Sequence, residues 1–257
     1  MTASQPLTTT GTLNGISVER TSLDVAVAAF VQGVTSGAPA HAHRLVNSYT
    51  FALADTDRAY KSLLAHSGVN LPDGKPLVTA LNGLDRRGQP FGQVRGPSFF
   101  MRCLDEGRLQ GVRHFFVGGS PELLAQLKDA VDRRFPGTEI VGVISPPFRP
   151  LTYTERADQD SDIKASGAHV VWVGLGTPKQ DFEAQRICDS LGVTTAAVGA
   201  AFDFVAGTKP EAPDWMRSLR LEWLFRLMSE PRRLWRRYLF GNTRFLMLVL
   251  REALRRH

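Results

Sequence analysis

Apolar residues in this chain fall into short unbroken runs separated by longer stretches of helix-like spacing. His43–Val46, His114–Val117, Glu139–Ile144, Ala168–Val173 and Val193–Val198 are rich in Val, Ala and Phe. Runs of this kind predict strands buried on both faces, as in a parallel sheet covered by helices. The segments between them predict helices. One runs from about Tyr49 to His66, one opens at Ser120-Pro121 and continues through Arg134, and one covers Asp181–Ser190. Val69–Val78 is a further apolar segment that carries the turn Leu71-Pro72-Asp73-Gly74. The alternation gives the fold class as α/β, a Rossmann-like parallel-sheet sandwich.

Two breaks bound the pattern. Met1–Thr12 is polar, Thr-rich and uncharged, and is expected to be a disordered lead-in rather than a signal peptide. Beyond Gly207, Pro210 and Pro213 interrupt the chain, and Trp215–His257 reads as helical and basic, with a break at Pro231. The expected organisation is a lead-in over 1–12, a core over 13–208 and an arginine-rich helical appendage over 209–257. No run of about 18 apolar residues occurs, so no bilayer-spanning segment is expected.

Charge sharpens the division. The chain carries 31 Lys and Arg against 25 Asp and Glu, a net +6, yet from Met216 onward there are eleven Arg and three Glu. The first 215 residues are therefore close to neutral, with 20 basic and 22 acidic side chains. A cationic tail on a neutral core suggests phosphate, an anionic membrane surface or nucleic acid as partner. Cys103 and Cys188 lack CxxC spacing and six His residues lack paired ligand spacing, so buried thiols are expected and a metal site is not.

Two turns suit an anion. Gly118-Gly119-Ser120 lies between a strand and a helix, where free N–H groups and the helix dipole favour a diphosphate. Ser120 followed by Pro121 is equally a well-made helix start. Gly174-Leu175-Gly176-Thr177-Pro178-Lys179-Gln180 begins like a dinucleotide fingerprint but has Lys179 at its last glycine position. Lys179 and Gln180 are either grips on a nucleotide or sugar or solvated first-turn residues. Asp73 is either turn chemistry or a general base at the mouth of the sheet. Asn47, ending another strand, is its neighbour by the same argument or a cap on the next helix. Asp203 holds a ribose hydroxyl or anchors its own loop. In the tail, Arg residues interleave with Leu234, Trp235, Tyr238, Phe245, Leu250 and Leu254, which fits an interfacial anchor, a helix docked on its own core, or self-association.

Together the segments Leu71–Gly74, Phe116–Pro121, Val173–Asp181, Val198–Phe204, Ala212–Trp215, Leu221–Leu227, Glu230–Arg233 and Arg237-Tyr238 resemble the WecG/TagA/CpsF family of bacterial glycosyltransferases. The resemblance implies transfer from a UDP-sugar to a polyprenyl-diphosphate-linked sugar at the inner face of the cell membrane, with neither metal nor other cofactor. It makes Asp73 the general base and sets Asn47 and Gln180 beside it. It implies that the appendage completes the site and touches the membrane, with Arg226, Arg233 and Arg237 neutralising the departing UDP. The chain departs from the family pattern at Leu45, at Gln93, where Arg95 is the substitute cation, and at Glu211. Two readings from other classes compete. One is an NAD(P)-dependent oxidoreductase using Gly118-Gly119 with Glu139 on the ribose. The other is a nucleic-acid-binding module using the tail; its interleaved Leu, Trp and Phe suit a lipid boundary better than a phosphate backbone, so no nucleic-acid partner is expected.

Overall fold

The computed structural model describes residues 10–210, 212–213, 216, 222–229 and 231–256. It opens with an antiparallel hairpin, β1 (Thr10–Leu13) and β2 (Ile16–Glu19). The turn residues Asn14 and Gly15 both have positive φ, 54° and 79°. Asn-Gly is the pair that tolerates this geometry best, and it gives the turn whose twist matches a two-residue hairpin. The expectation of disorder up to Thr12 is therefore corrected: Thr10–Leu13 is a strand. Leu13, Ile16 and Val18 are fully buried beneath it.

Six strands then build one parallel sheet: β3 (Ala42–Val46), β4 (Val69–Pro72), β5 (Arg113–Val117), β6 (Glu139–Ile144), β7 (Val170–Val173) and β8 (Thr194–Ala197). Their order is β4-β3-β8-β7-β5-β6, and every pairing is parallel. This is the Rossmann-like α/β sandwich expected. The central strand β7 is buried at all four positions, which is why it reads as an unbroken apolar run.

The helices are α1 (Leu23–Thr35), α2 (Ser48–Ala54), α3 (Arg58–His66), α4 (Lys75–Leu84), α5 (Gly96–Arg108) and α6 (Pro121–Arg134). They continue with α7 (Tyr153–Ser166), α8 (Lys179–Leu191), α9 (Ala201–Ala206), α10 (Glu222–Ser229) and α11 (Pro231–Arg256). α1, α5, α6 and α9 cover one face around Phe30, Phe99, Phe100, Phe116, Trp172 and Phe202. The rings of Phe100 and Trp172 meet edge to face at 4.9 Å, a favourable aromatic geometry. α7 and α8 cover the other face, setting Ile163, Ala184 and Ile187 against Phe115, Val117, Val171 and Val173. A third cluster joins the hairpin, α2, α3 and α4 to Phe245 and Leu248 of α11.

The single helix expected over Tyr49–His66 is two. Asp57 takes an extended backbone and accepts the Tyr60 amide proton, starting α3 afresh. The break expected at Pro231 is present: α10 ends at Ser229 and α11 begins at Pro231, the position where a missing N–H costs nothing. The second half of α11 is docked: Arg244 Nε lies 2.6 Å from an Asp55 carboxylate oxygen and Arg256 donates to the Leu84 carbonyl. Its outward face keeps Phe240, Leu246, Met247, Leu250 and Leu254 exposed. No helix among the described residues is long and apolar enough to cross a membrane.

Candidate active site

Because all six strands run parallel, their C-terminal ends share one edge, and the singled-out turns line it. Asp73 follows β4, Asn47 follows β3, Gly199 follows β8, Gly174 follows β7 and Gly118 follows β5. After β5 the chain moves outward through α6 to β6; after β7 it moves the opposite way through α8 to β8. α6 packs with α9 on one face and α8 with α7 on the other. The β5/β7 gap is thus a topological switch point, where open α/β sheets form a ligand crevice.

At this end the main chain does the building. Gly118 has φ 124°, and a Cβ on it would lie 2.6 Å from the Gly174 carbonyl oxygen, so the two glycine turns touch backbone to backbone. A Cβ on Gly174 would lie 2.7 Å from the Phe202 ring. The Ser120 side chain accepts from the Leu123 amide and caps α6, so what the turn offers a ligand is its N–H groups. Ser145, at the end of β6, ties in by donating to the Gly119 carbonyl at 2.7 Å. Just beyond it stands Phe148, 97% exposed, a ring that no pattern in the sequence marked.

Side chains build the other end. Asn47 Oδ1 accepts from the Tyr49 and Thr50 amides at 3.0 and 3.2 Å, and the reciprocal Asn47 N–H to Thr50 Oγ1 bond completes a capping box. With its oxygen committed, Asn47 has an NH2 group left to present. Gln180 repeats the logic. It is 3% exposed, its Oε1 accepts from the Gly176 amide at 3.0 Å, and its carboxamide lies 3.6 Å from the Cβ position of Gly199. Asp73 adjoins Asn47. Its N–H donates to the Val46 carbonyl at 2.7 Å, and the Cβ position of the following Gly74 is 3.5 Å from Asn47 Cβ. Gly74, with φ 90°, caps α4 without a side chain. The Asp73 side chain is half-buried, not sealed in the core.

The candidates therefore share an edge but not a point. β4 and β5 are four strand positions apart, so Asp73 and the Gly118 turn are separated by roughly 19 Å. Gln180 reaches the end of β8 and sits between. Arg95, at the start of α5, lies with its guanidinium 5.6 Å from the Phe204 ring centroid. Asp203 on α9 ion-pairs with Lys209 at 3.4 Å, and its carbonyl holds the Thr208 and Lys209 amides, so it does anchor its loop. Lys179 is solvent-exposed at the first position of α8. The side chains of Arg226, Arg233 and Arg237, and all of Glu211, lie outside the described residues. Leu45 is a buried core residue. Glu139 opens β6 opposite Arg113 at the far end of the sheet, so it is on the wrong edge to bind a ribose at Gly118.

Two clefts border the sheet. One of about 380 Å³ lies at the opposite edge, between the ends of α1, α7 and α8 near Gly37, Gly167 and Gly192. The other, about 230 Å³, lies between the end of β6 and α7, lined by Ser145, Pro147, Glu155 and Gln159, one strand outward from the switch point. Among the described residues no group of three or more His, Cys, Asp or Glu is placed to hold a metal.

Residues 12–257 match the family described as "Glycosyl transferase WecG/TagA/CpsF family". Among similar curated proteins is the N-acetylglucosaminyldiphosphoundecaprenol N-acetyl-beta-D-mannosaminyltransferase of Bacillus spizizenii, 31% identical over 195 residues, which is 75% of this chain and 72% of that protein.

Proposed function

Since the chain belongs to the WecG/TagA/CpsF family of glycosyltransferases, we propose that it transfers an N-acetylhexosamine from a UDP-sugar to a polyprenyl-diphosphate-linked sugar, with Asp73 as general base. The acceptor class follows the similar Bacillus enzyme, whose name specifies an undecaprenyl-diphosphate-linked N-acetylglucosamine. In this reading the donor lies along the sheet edge, its diphosphate toward the N–H groups of the Gly118 and Gly174 turns, its sugar toward Asn47, Gln180 and Asp73. A nucleotide sugar is an elongated molecule, which suits candidates strung along an edge better than a compact substrate would.

The chemistry assigns each group a task. The Asp73 carboxylate takes the proton of the acceptor hydroxyl as its oxygen bonds to the anomeric carbon. The bond from that carbon to the UDP oxygen breaks, and UDP departs as an anion. Charge grows on the diphosphate during this step, so fixed donors there favour the transition state over the ground state. Arg95 and the tail arginines Arg226, Arg233 and Arg237 are the cations proposed to share that charge, without a metal. The outward face of α11 is proposed to lie on the anionic inner surface of the membrane, where the lipid-linked acceptor resides. Its exposed Leu246, Leu250 and Leu254, at four-residue spacing and flanked by Arg244, Arg251 and Arg255, are the groups that would enter the interface.

The observation that carries the reading is the half-buried Asp73 next to Asn47, with Gln180 at the end of β8 two strands along the same edge, the oxygens of both amides being consumed internally. The test is Asp73→Asn, assayed with UDP-N-acetylhexosamines and a lipid-linked acceptor. Loss of a general base lowers kcat by about 10²–10⁴-fold, while the thermal shift produced by UDP is expected to persist. Turnover within two-fold of the wild type, on the same scale of effects, removes Asp73 from that role.

A further inference from the structure

The bonds of Gln180 close its own turn. Its Oε1 accepts from the Gly176 amide and its N–H donates to the Gly176 carbonyl, both at 3.0 Å. Gly176 has φ 79°, and among the described residues nothing beyond its chain neighbours comes within 4 Å of its Cβ position. A turn closed on itself fixes the shape of the Gln180 side chain, but not where that side chain stands against the other strands. The tie to a neighbouring element comes one residue later. Asp181 is 4% exposed, and its Oδ2 accepts the hydroxyl proton of the fully buried Tyr60 at 2.7 Å.

Tyr60 is itself well placed. It belongs to α3, and the Asp57 cap accepts its amide proton at 3.0 Å. Its ring lies 5.7 Å from that of Phe182, so one side chain meets two consecutive residues of α8, one by a bond and one by a ring. One turn further along α8, the buried Arg44 of β3 donates to Gln185, and also to the Ser67 carbonyl at 2.6 Å. Burial and the Asp181 charge push the Tyr60 hydroxyl well above its ordinary pKa, which keeps it a donor. Burial raises the Asp181 pKa to about 6, with the Tyr60 bond and the Arg44 charge opposing the rise. A buried carboxylate is costly to keep, and apolar side chains at both positions would join α3 to α8 as well. What the bond adds is direction: packed apolar surfaces tolerate sliding, whereas a short bond to a carboxylate does not.

Resting on the role proposed for Gln180, we infer that Tyr60 and Asp181 are positioning residues: they hold the first turn of α8 at a fixed place against α3, and so set the Gln180 carboxamide relative to Asn47 and Asp73. The stretch β3–α2–α3–β4 leads from Asn47 to Asp73, while α8 carries Gln180. The sheet joins these two units through the pairing of β3 with β8, but that pairing stops at Arg44 and Ala197, before the strand end where Asn47 stands. The Tyr60–Asp181 bond joins them a second time, at the level of the helices.

Tyr60→Phe keeps the ring and removes the bond, but it leaves a buried carboxylate without its donor, so a lower Tm alone decides nothing. The double variant Tyr60→Phe with Asp181→Leu removes both partners and keeps the packing, a change that is nearly neutral for stability. Asp181→Asn keeps an oxygen to accept the Tyr60 proton. The double variant is expected to lower kcat by roughly ten- to hundred-fold, the scale of a small misplacement of reacting groups. Its donor KM and its thermal shift with UDP stay as in the wild type, and its Tm is no lower than that of Tyr60→Phe. Asp181→Asn keeps kcat within about three-fold of the wild type on the same scale. Wild-type kcat in the double variant overturns the inference, as does an equal kcat loss in Asp181→Asn. A readout independent of turnover is solvent exchange of the Gln180 side-chain NH2 protons by NMR. Exchange is expected to be slow in the wild type and Asp181→Asn, and fast in the double variant; unchanged exchange there overturns the inference whatever the donor sugar proves to be. Full turnover by Gln180→Leu would instead remove the role on which the inference rests, and the exchange result would still decide whether the bond holds the carboxamide in place.

Discussion

The two ends of the sheet's working edge are made of different material. At the β5/β7 end the surface is main chain: Gly118 abuts the Gly174 carbonyl and Gly174 abuts the Phe202 ring, so neither has room for a methyl group, and the Ser120 hydroxyl is spent on capping its helix. From β8 to the β3/β4 end it is side chain: Asn47, Asp73 and Gln180 project from ordinary strand ends and helix starts, and two of them spend an oxygen internally, which leaves an NH2 to present. A main-chain surface cannot be altered without disturbing the fold, because the fold is what brings the N–H groups there. A side-chain surface can be altered atom by atom. Fold and chemistry are therefore inseparable at one end and separable at the other.

Gly118→Ala attacks the first half of this contrast and carries the largest expected effect. The new Cβ would lie 2.6 Å from the Gly174 oxygen and 2.7 Å from its carbonyl carbon, at a φ of 124° that side chains rarely adopt. Backbone strain and overpacking cost about 1–3 kcal/mol each, roughly 4 kcal/mol together. In a chain of this size that lowers Tm by about 8–16 °C, with activity lost alongside. A variant melting near the wild type but unable to respond to UDP would break the contrast, since it would separate fold from binding at the glycine end.

Asn47 tests the second half with a smaller effect. Asn47→Asp keeps an oxygen for the cap, which Asp fills about as well as Asn, but it removes the NH2 group and sets a carboxylate beside Asp73. Loss of one preorganised donor costs about 10²–10³-fold in kcat, with Tm near the wild type. Asn47→Ala loses the cap as well, about 1 kcal/mol of stability, a fall of about 2–4 °C. If Asn47→Asp melts as early as Asn47→Ala, the cap is not what the oxygen provides, and the separation of fold from chemistry fails at this end too.

How much of this was legible beforehand divides along similar lines. The strands were readable because β7 and its neighbours are buried on both faces, which forces unbroken apolar runs. The helix opening at Ser120-Pro121 and ending at Arg134 was readable because its cap residues are local. The hairpin was hidden by composition: Met1–Thr12 is polar, and the signal was the Asn14-Gly15 pair just beyond it. The break at Asp55–Asp57 was hidden because it depends on a cap at Asp57 inside an otherwise helical run. Asn47 was legible as a candidate site residue and as a cap; the structure shows the cap, made by the oxygen, and the nitrogen remains for the proposed role. Strand order was not legible, and with it the spacing between Asp73 and the glycine turns stayed hidden. Nor was the buried bond between Tyr60 and Asp181, residues 121 positions apart, although an arginine inside the apolar run His43–Val46 was a visible oddity whose buried partners lie elsewhere in the chain.

Phe148 offers the finest cut, because it is a side chain standing at the main-chain end. The loop that carries it contains Pro146, Pro147 and Pro150 and is pinned by a two-bond pair between Arg149 and Glu155, at 2.6 and 2.7 Å. The ring is thus exposed on a restrained loop rather than a loose one, next to the Ser145–Gly119 tie. A restrained aromatic ring near the crevice proposed for the diphosphate suits a flat heterocycle, and stacking of a base on such a ring is worth about 1–3 kcal/mol. With a diphosphate also held, Phe148→Ala is expected at the lower limit, about five- to ten-fold higher donor KM. Because so exposed a ring supports almost none of the core, kcat at saturating donor and Tm should not move, and Phe148→Tyr should retain the wild-type KM. A KM shift in kinetics with UDP-sugar as varied substrate would show that chemistry can be separated from fold even at the glycine end, provided the group involved is a side chain. An unchanged KM would place the base elsewhere along the edge and leave that end purely main chain.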